Sequence, residues 1–117
     1  MGRAIKFRAW DERHKEFHHD TSTHRNEEGD VSPWVYEQFT GLLDSKGVEI
    51  YEGDIIDFDG DVYVAEISWN QENCRYEALE RRGKRLYVHV FDDHVSVASV
   101  VVGNVHQTPS LLEENRK

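Results

Sequence analysis

The amino-acid sequence predicts a mainly β domain, and three of its features support this prediction. Apolar residues recur with a period of two along most of the chain, as expected for half-buried strands. Glycines fall at spacings suited to turns, at Gly41, Gly47 and Gly53. Asp59-Gly60 is a strong signal for a tight hairpin turn. Short strands joined by such turns favour one small, strongly bent, barrel-like (SH3-like) sheet of β-hairpins.

The chain length and the cysteine content predict one domain over residues 1–117. A chain of 117 residues has the size of a single domain. Cys74 is the only cysteine, which excludes an internal disulfide and fits a reducing compartment. Lys6 and Arg8 interrupt the apolar residues near the N-terminus, so neither a signal peptide nor a membrane span is expected. We therefore expect a cytoplasmic protein.

The N-terminal third predicts one strand followed by a polar segment. Ile5, Phe7 and Ala9 alternate with less apolar residues, which is typical of a half-buried strand. Residues 14–30 contain few apolar side chains and predict a polar, flexible excursion. Pro33 favours extended backbone at the residue before it and ends the excursion.

The middle of the chain predicts short strands separated by glycine turns. Residues 35–40 form an extended run that Gly41 is expected to break. Residues 44–47, Asp-Ser-Lys-Gly, suit a type I turn. Residues 48–51 and 55–58 are the next strands, and Gly53 between them is predicted to form a corner of the sheet.

The C-terminal half predicts further strands and a single helical turn. Residues 62–69 carry apolar side chains on both faces, and the basic residues 81–85 suit a hairpin tip. Residues 86–91 and 95–102 are rich in valine and predict the last strands. Thr108 and Pro109 suit the cap and the first position of a short C-terminal helical turn.

Seven histidines make a metal site worth considering, although no cofactor is otherwise expected. Four of them lie between residues 14 and 24, and His18, His24 and Asp20 are candidate zinc or nickel ligands. The alternative is a hydrophilic loop that is rich in histidine. The acidic run at residues 57–61 does not match a calcium loop, because glycine occupies the fourth position where the sixth is required.

Catalysis and nucleic-acid binding are both disfavoured. The sequence contains no nucleophile elbow, P-loop or dinucleotide-binding fingerprint, so we expect a protein that is not an enzyme. Residues 26–72 hold thirteen acidic residues and one basic residue, a net charge of −12. Such a surface repels phosphate, so a nucleic-acid partner is not expected.

Three blocks of the sequence together resemble the YopX family. They are residues 5–11, IKFRAWD; residues 38–56, QFTGLLDSKGVEIYEGDII; and residues 102–106, VGNVH, followed by Pro109, Leu111 and Leu112. The family is encoded mostly by bacteriophages and prophages and has no established function or catalytic residues. The resemblance implies a mainly β domain with a barrel in a bacterial cytoplasm. The histidine-rich segment at residues 14–24 departs from the family pattern.

The motif residues of this resemblance are interpreted as architectural. They are Gly41, Gly47, Tyr51, Gly53, Asp54, Gly103 and Asn104. The first hypothesis is a phage accessory protein that binds another protein or forms a homo-oligomer, since strands apolar on both faces expose more hydrophobic surface than one sheet face needs. A second is an acidic mimic of nucleic acid, with Asp57, Asp59 and Asp61 as its candidate interaction surface. A third is a metal- or ligand-responsive module that uses the histidines.

Overall fold

The computed structural model describes residues 5–19, 34–58 and 63–114, which form nine strands and two short helices. The first four strands are β1 (Phe7–Asp11), β2 (Glu16–His18), β3 (Trp34–Leu43) and β4 (Glu49–Tyr51). The next five are β5 (Asp54–Phe58), β6 (Val64–Asn70), β7 (Arg75–Arg82), β8 (Arg85–Val90) and β9 (Ser99–Asn104). The helices are α1 (Asp93–Ser96) and α2 (Ser110–Glu114).

The strands make two antiparallel sheets. The first has the order β2-β1-β3-β4 and the second β8-β7-β6-β5-β9. The second sheet curls like half a barrel, which confirms the predicted mainly β, strongly bent architecture with short helices. Within the described residues β8 and β9 remain at opposite edges of this sheet, so the barrel is not closed by strand pairing.

The hydrophobic core lies between the two sheets. The bends of the chain bring β4 of the first sheet against β5, β6 and β7 of the second. Ile50, Ile56 and Ile67 are at most 1% exposed, which shows how completely the sheets cover this layer. The other buried members are Ala65, Tyr76, Ala78 and Phe91.

The predicted turn at residues 44–47 is present and is tied to the second sheet. The Gly47 N–H donates to the Asp44 carbonyl at 3.0 Å, and Gly47 has a φ of +81°. The Asp44 carboxylate accepts three backbone hydrogen bonds, two from within its own loop and one from Val101 of β9 at 2.9 Å. The turn that was predicted from local sequence therefore also connects the two sheets.

Gly41 does not end its strand as predicted. β3 continues to Leu43, with Gly41 at a φ of +87° and a shift of register against β4 between Phe39 and Leu43. A glycine at positive φ inside a paired strand makes a bulge that bends the strand without terminating it. The Thr40 hydroxyl bridges the irregularity by donating to the Ile50 carbonyl at 2.7 Å.

The prediction of one strand over residues 95–102 is wrong in its first half. Asp92 is the N-cap of α1, and its carboxylate accepts the N–H groups of His94 and Val95. Because the side chain satisfies these N–H groups, the chain makes one helical turn before β9 begins at Ser99.

β1 is also more buried than its alternation predicted. Arg8, Ala9, Trp10 and Asp11 are all buried, whereas Phe7, expected on the core face, is 40% exposed. β1 lies between β2 and β3, and Arg8 is paired with the buried carboxylates of Glu37 and Asp54. Burial that alternates with period two is instead seen in β6 of the second sheet, where Ala65 and Ile67 are buried between half-buried neighbours.

Two further predicted segments are partly described. Residues 14–30 were interpreted as a polar excursion, but residues 16–18 form β2. The hairpin predicted at Asp59-Gly60 lies outside the described residues. The predicted basic hairpin tip is present, with Gly83 at a φ of +61° between β7 and β8.

The short helix predicted at the C-terminus is present as α2, but Thr108 has a different role from the predicted cap. Its hydroxyl accepts from the Asn104 N–H at 2.9 Å and donates to the Asn104 carbonyl at 3.1 Å. Thr108 therefore attaches the segment before α2 to the end of β9.

We expect Gly53→Ala to destabilise the fold by roughly 1–3 kcal/mol from backbone strain alone, with a further loss from displacement of Glu37. Gly53 has a φ of +83°, and a Cβ there would overlap the Glu37 carboxylate. Gly47→Ala is the matched control, because Gly47 has a φ of +81° and open space around its Cβ position. Urea denaturation of both variants measures the difference, and equal losses would contradict a role for the close approach.

We expect Asp44→Asn to reduce stability at pH 7 by about 1–3 kcal/mol, because an amide cannot replace all the carboxylate acceptors. Burial acts to raise the pKa of Asp44, but hydrogen bonds from Val101, Val48 and Lys46 outweigh it and lower the pKa. A folded-state pKa below the unfolded value of about 3.9 gives stability that is present above that value and lost as pH falls through the folded pKa.

The gap between wild-type and Asp44→Asn urea midpoints should therefore narrow from pH 7 to pH 3. Glu72→Gln alters an exposed acid in the β6–β7 turn and should match the wild type at both pH values. A gap for Asp44→Asn that is constant with pH would show that the carboxylate charge does not contribute.

Candidate functional site

A buried ion network joins the two sheets at Arg8. The Arg8 Nε donates to Glu37 of β3 at 3.0 Å, and its Nη2 donates to Asp54 of β5 at 2.8 Å. These three side chains are at most 8% exposed. Nη2 also donates to the Glu52 carbonyl at 3.2 Å. One guanidinium thus holds strands of both sheets together.

Aromatic rings enclose the network. The Arg8 guanidinium lies over the Phe17 ring at 4.2 Å and over the Tyr51 ring at 4.8 Å. His106 stacks on Trp10 with ring centroids 5.0 Å apart, and its Nε2 lies 3.0 Å from the second Glu37 oxygen. The ring faces of Phe17 and Tyr51 thus add favourable cation–π contacts to the ion pairs of Arg8.

Five of the seven predicted architectural residues lie at or beside this network: Tyr51, Gly53, Asp54, Gly103 and Asn104. The other two, Gly41 and Gly47, lie in the bulge of β3 and in the turn that follows it. The second Asp54 oxygen accepts the Tyr51 N–H at 2.8 Å. Gly53 donates to the Ile67 carbonyl and accepts from the Val105 N–H. The Asn104 side chain accepts the N–H groups of two residues in the following turn, His106 and Gln107. Gly103 lies directly under Thr108 and Leu111, where a Cβ would overlap them.

Asp54 lies both in the network and in the lining of a cleft. Burial raises the pKa of Asp54 above its ordinary value, and the Arg8 guanidinium opposes that rise. A cleft of about 320 Å³ opens beside Arg8, Tyr51 and Asn104. Arg8 and Asp54 in its lining are paired with each other, and this ion pair connects the two sheets.

A second cluster of polar side chains lies on the β1–β2 hairpin. Asp11 Oδ2 is 2.6 Å from His14 Nδ1 and 3.2 Å from His18 Nε2, and Glu16 Oε1 is 3.5 Å from His18 Nε2. Burial acts to raise the pKa of Asp11, but hydrogen bonds from His14 and His18 outweigh it and bring the pKa to about 2. The Asp11 carboxylate is therefore ionised at neutral and at mildly acidic pH.

Of the candidate metal ligands His18, His24 and Asp20, only His18 is among the described residues. The structure brings it together with Asp11 and Glu16, which the sequence analysis did not select. Glu16 and His18 share a strand face because they are two residues apart. The pairing of Asp11 with Glu16 across the hairpin could have been found only by recognising β2.

The candidate acidic surface is described at Asp57 alone, since Asp59 and Asp61 lie outside the described residues. Asp57 is half-buried in β5, opposite Val64 of β6 and Val100 of β9. One of its oxygens is buried and accepts no hydrogen bond from the described part of the chain.

β8 presents the largest run of exposed apolar side chains on one strand of the described structure. Leu86, Val88 and Val90 are 44–48% exposed, and Tyr87 between them is 37% exposed. The strand forms one edge of the five-stranded sheet. An apolar edge strand is a potential site for pairing with another chain.

The YopX protein family model matches residues 18–113, which is most of the chain. The chain belongs to the YopX family. This match includes the central glycine block and the final block, from which Asp54, Gly103 and Asn104 line the cleft beside Arg8.

Among solved structures, this YopX family member is similar to the crystal structure of protein EF1440 from Enterococcus faecalis. The TM-score is 0.53, with 24% sequence identity over 95% of this chain and 99% of that chain. At this identity the likeness establishes the fold. Among curated proteins, none matches the sequence. Neither α1 nor α2 is long enough to cross a bilayer, and no other helix is present in the described residues.

We expect Arg8→Met to destabilise the protein by about 3–5 kcal/mol, because it leaves the Glu37 and Asp54 carboxylates buried without their cation. Adding Glu37→Gln should recover part of this loss by removing one of the two charges. Lys6→Met is the control, since Lys6 pairs with Glu49 in solvent and its loss should change little. Urea denaturation measures all three, and equal effects of Arg8→Met and Lys6→Met would contradict the buried network.

Proposed function

We propose that this protein is a non-enzymatic accessory protein of a bacteriophage or prophage that acts in the bacterial cytoplasm by protein–protein interaction, and that it associates with itself through β8. The exposed apolar edge strand β8 is the observation that carries this proposal. The family resemblance supports the phage origin, and the buried architectural use of the motif residues supports a binding role without catalysis.

The backbone of β8 is arranged to accept another strand. In an antiparallel pair, alternate residues point their N–H and C=O groups toward the partner strand. The Phe91 N–H donates to Tyr76, so Tyr87 and His89, which have the same parity, face β7. The backbone groups of Leu86, Val88 and Val90 consequently point outward, where no described strand pairs with them.

If a two-fold axis passes through Val88, the outward N–H and C=O groups of Leu86, Val88 and Val90 all hydrogen-bond to a second copy of β8. The axis pairs Val88 with Val88 of the second copy, and Leu86 with Val90 in both directions. Because the three residues alternate along the strand, their side chains share one face. Pairing would join six aliphatic side chains in one stripe across the interface and extend the two sheets into one.

The charges at the ends of β8 favour the same antiparallel arrangement. Lys84 precedes the strand and Arg85 is its first residue, whereas Asp92 and Asp93 follow it. The register centred on Val88 brings Lys84 of one copy alongside Asp92 of the other. Opposite charges at both ends of a symmetric interface help to fix register and orientation. A second copy of this chain therefore matches the edge in shape, hydrogen bonding and charge.

Self-association predicts a dimer that Val88→Lys converts to a monomer, because the substitution places two like charges opposite each other at the axis. Light scattering during size-exclusion chromatography, over a range of protein concentrations, measures the mass. Val97→Lys is the control, since Val97 is 67% exposed on the helical turn after β8 and should leave the dimer intact.

Lys84→Glu should weaken the dimer without abolishing it, and more strongly at low salt, because it places like charges beside Asp92. A wild-type mass that stays monomeric at high concentration would contradict self-association. Dissociation by Val97→Lys to the same extent as by Val88→Lys would contradict the choice of β8.

Acidic mimicry of nucleic acid is a second proposal with less support. Of the acidic residues in the charged window, Glu37, Asp44 and Asp54 are buried, and Glu49 pairs with Lys6. Because these carboxylates are buried or paired, the surface carries less negative charge than the count from the sequence implies. Salt-sensitive capture of a DNA-binding host protein by the wild type, lost on charge reversal at Asp57, Asp59 and Asp61, would favour it.

A further inference from the structure

The β1–β2 hairpin places three metal-binding side chains on one face. Asp11 pairs directly with Glu16, and Ala9 pairs with His18. The pleat therefore directs Asp11, Glu16 and His18 to the same side of the hairpin. One ligand atom from each of them lies within 4.8 Å of the other two.

The donor separations match those around a small metal ion. Zinc binds histidine nitrogen and carboxylate oxygen at about 2.0–2.2 Å, so two donors at a tetrahedral angle lie about 3.3 Å apart. His18 Nε2 is 3.2 Å from Asp11 Oδ2 and 3.5 Å from Glu16 Oε1. The geometry points to a divalent metal site in which His18, Asp11 and Glu16 are the ligands. This site goes beyond the association through β8 and does not depend on it.

The surroundings hold two of the ligands in place. The first Asp11 oxygen accepts the N–H groups of Arg13 and His14, which leaves the second oxygen directed at His18. The His18 ring stacks on Trp34 with centroids 4.3 Å apart and planes within 6°. Partners that orient the ligands are a common feature of metal sites and contribute to affinity.

The cluster is also open to solvent on one side, as a site loaded from solution requires. The Asp11 side chain is 3% exposed, whereas His18 is 31% and Glu16 is 57% exposed. His14 Nδ1 is hydrogen-bonded to the same Asp11 oxygen at 2.6 Å and lies outside the group of three ligands, so water would complete the coordination of the ion.

The ligand types select the class of metal. Imidazole with carboxylates suits zinc and nickel, whereas calcium and magnesium take oxygen ligands almost entirely. A bound ion would crosslink β1 to β2 and thereby stabilise the hairpin whose Phe17 covers Arg8. Metal binding would in this way act on the stability of the whole fold.

The test is a titration of the intact protein with zinc chloride and, separately, nickel chloride, followed by calorimetry and by the thermal midpoint. We expect one ion to bind per chain and the midpoint to rise with metal concentration, because an ion that binds only the folded state stabilises it. Magnesium chloride should leave the midpoint unchanged. Absence of binding by both zinc and nickel would overturn the proposal.

Variants locate the site. His18→Ala and Glu16→Gln should each weaken binding by about tenfold or more. Glu16 is largely exposed, so its variant folds even where others do not. His94→Ala removes an exposed histidine on α1 and should bind like the wild type, as should His24→Ala and Asp20→Asn. Binding unchanged in Glu16→Gln, or lost in His24→Ala, would overturn the ligand set.

Discussion

The position of Arg8 constrains most of this fold. A guanidinium with almost no exposure requires acceptors, and it finds them on β3, on β5 and on the backbone at Glu52. These partners belong to both sheets, so the ion network fixes how the sheets meet. Gly53 is needed for the same reason, since any side chain there would occupy the place of the Glu37 carboxylate. The central glycine motif therefore serves an electrostatic contact as well as a bend in the chain.

The parts of the fold that could be predicted from sequence depend on local interactions. Residues 44–47 form the expected turn because the Asp44 side chain and the Gly47 backbone act within four residues. The ion network could not be predicted in this way, because Arg8 is separated from Glu37 by 29 residues and from Asp54 by 46. A charge count from the sequence treats these side chains as part of the surface. In the structure they are buried.

The histidine segment shows the same distinction at shorter range. His18 could be selected as a ligand because of its residue type, but its neighbours depend on a strand of three residues. With few apolar residues around it, β2 is too short to produce a periodic signal. The pairing of β2 with β1 brings Asp11 across the hairpin to Glu16 and His18, and these three residues are the ligands that we propose. The number of histidines could indicate that a metal site is present. The choice of Asp11 and Glu16 as partners of His18 depends on the pairing of β1 with β2.

The two edge strands of the five-stranded sheet, β9 and β8, differ in how their outward backbone groups are hydrogen-bonded. This difference is the reason that association is proposed at β8. Along β9, the Ser99 carbonyl accepts from Ser45, the Val101 N–H donates to Asp44, and the Asn104 backbone bonds to Thr108. Loops thus satisfy the backbone of that edge within the chain. β8 has no comparable covering in the described structure, and its side chains are apolar where protective edges usually carry charge. The sequence predicted a barrel-like sheet, and a fully closed barrel has no free edge strand. In the structure, loops of the same chain hydrogen-bond to the edge strand β9. The edge strand β8 remains suited to pairing with a second chain.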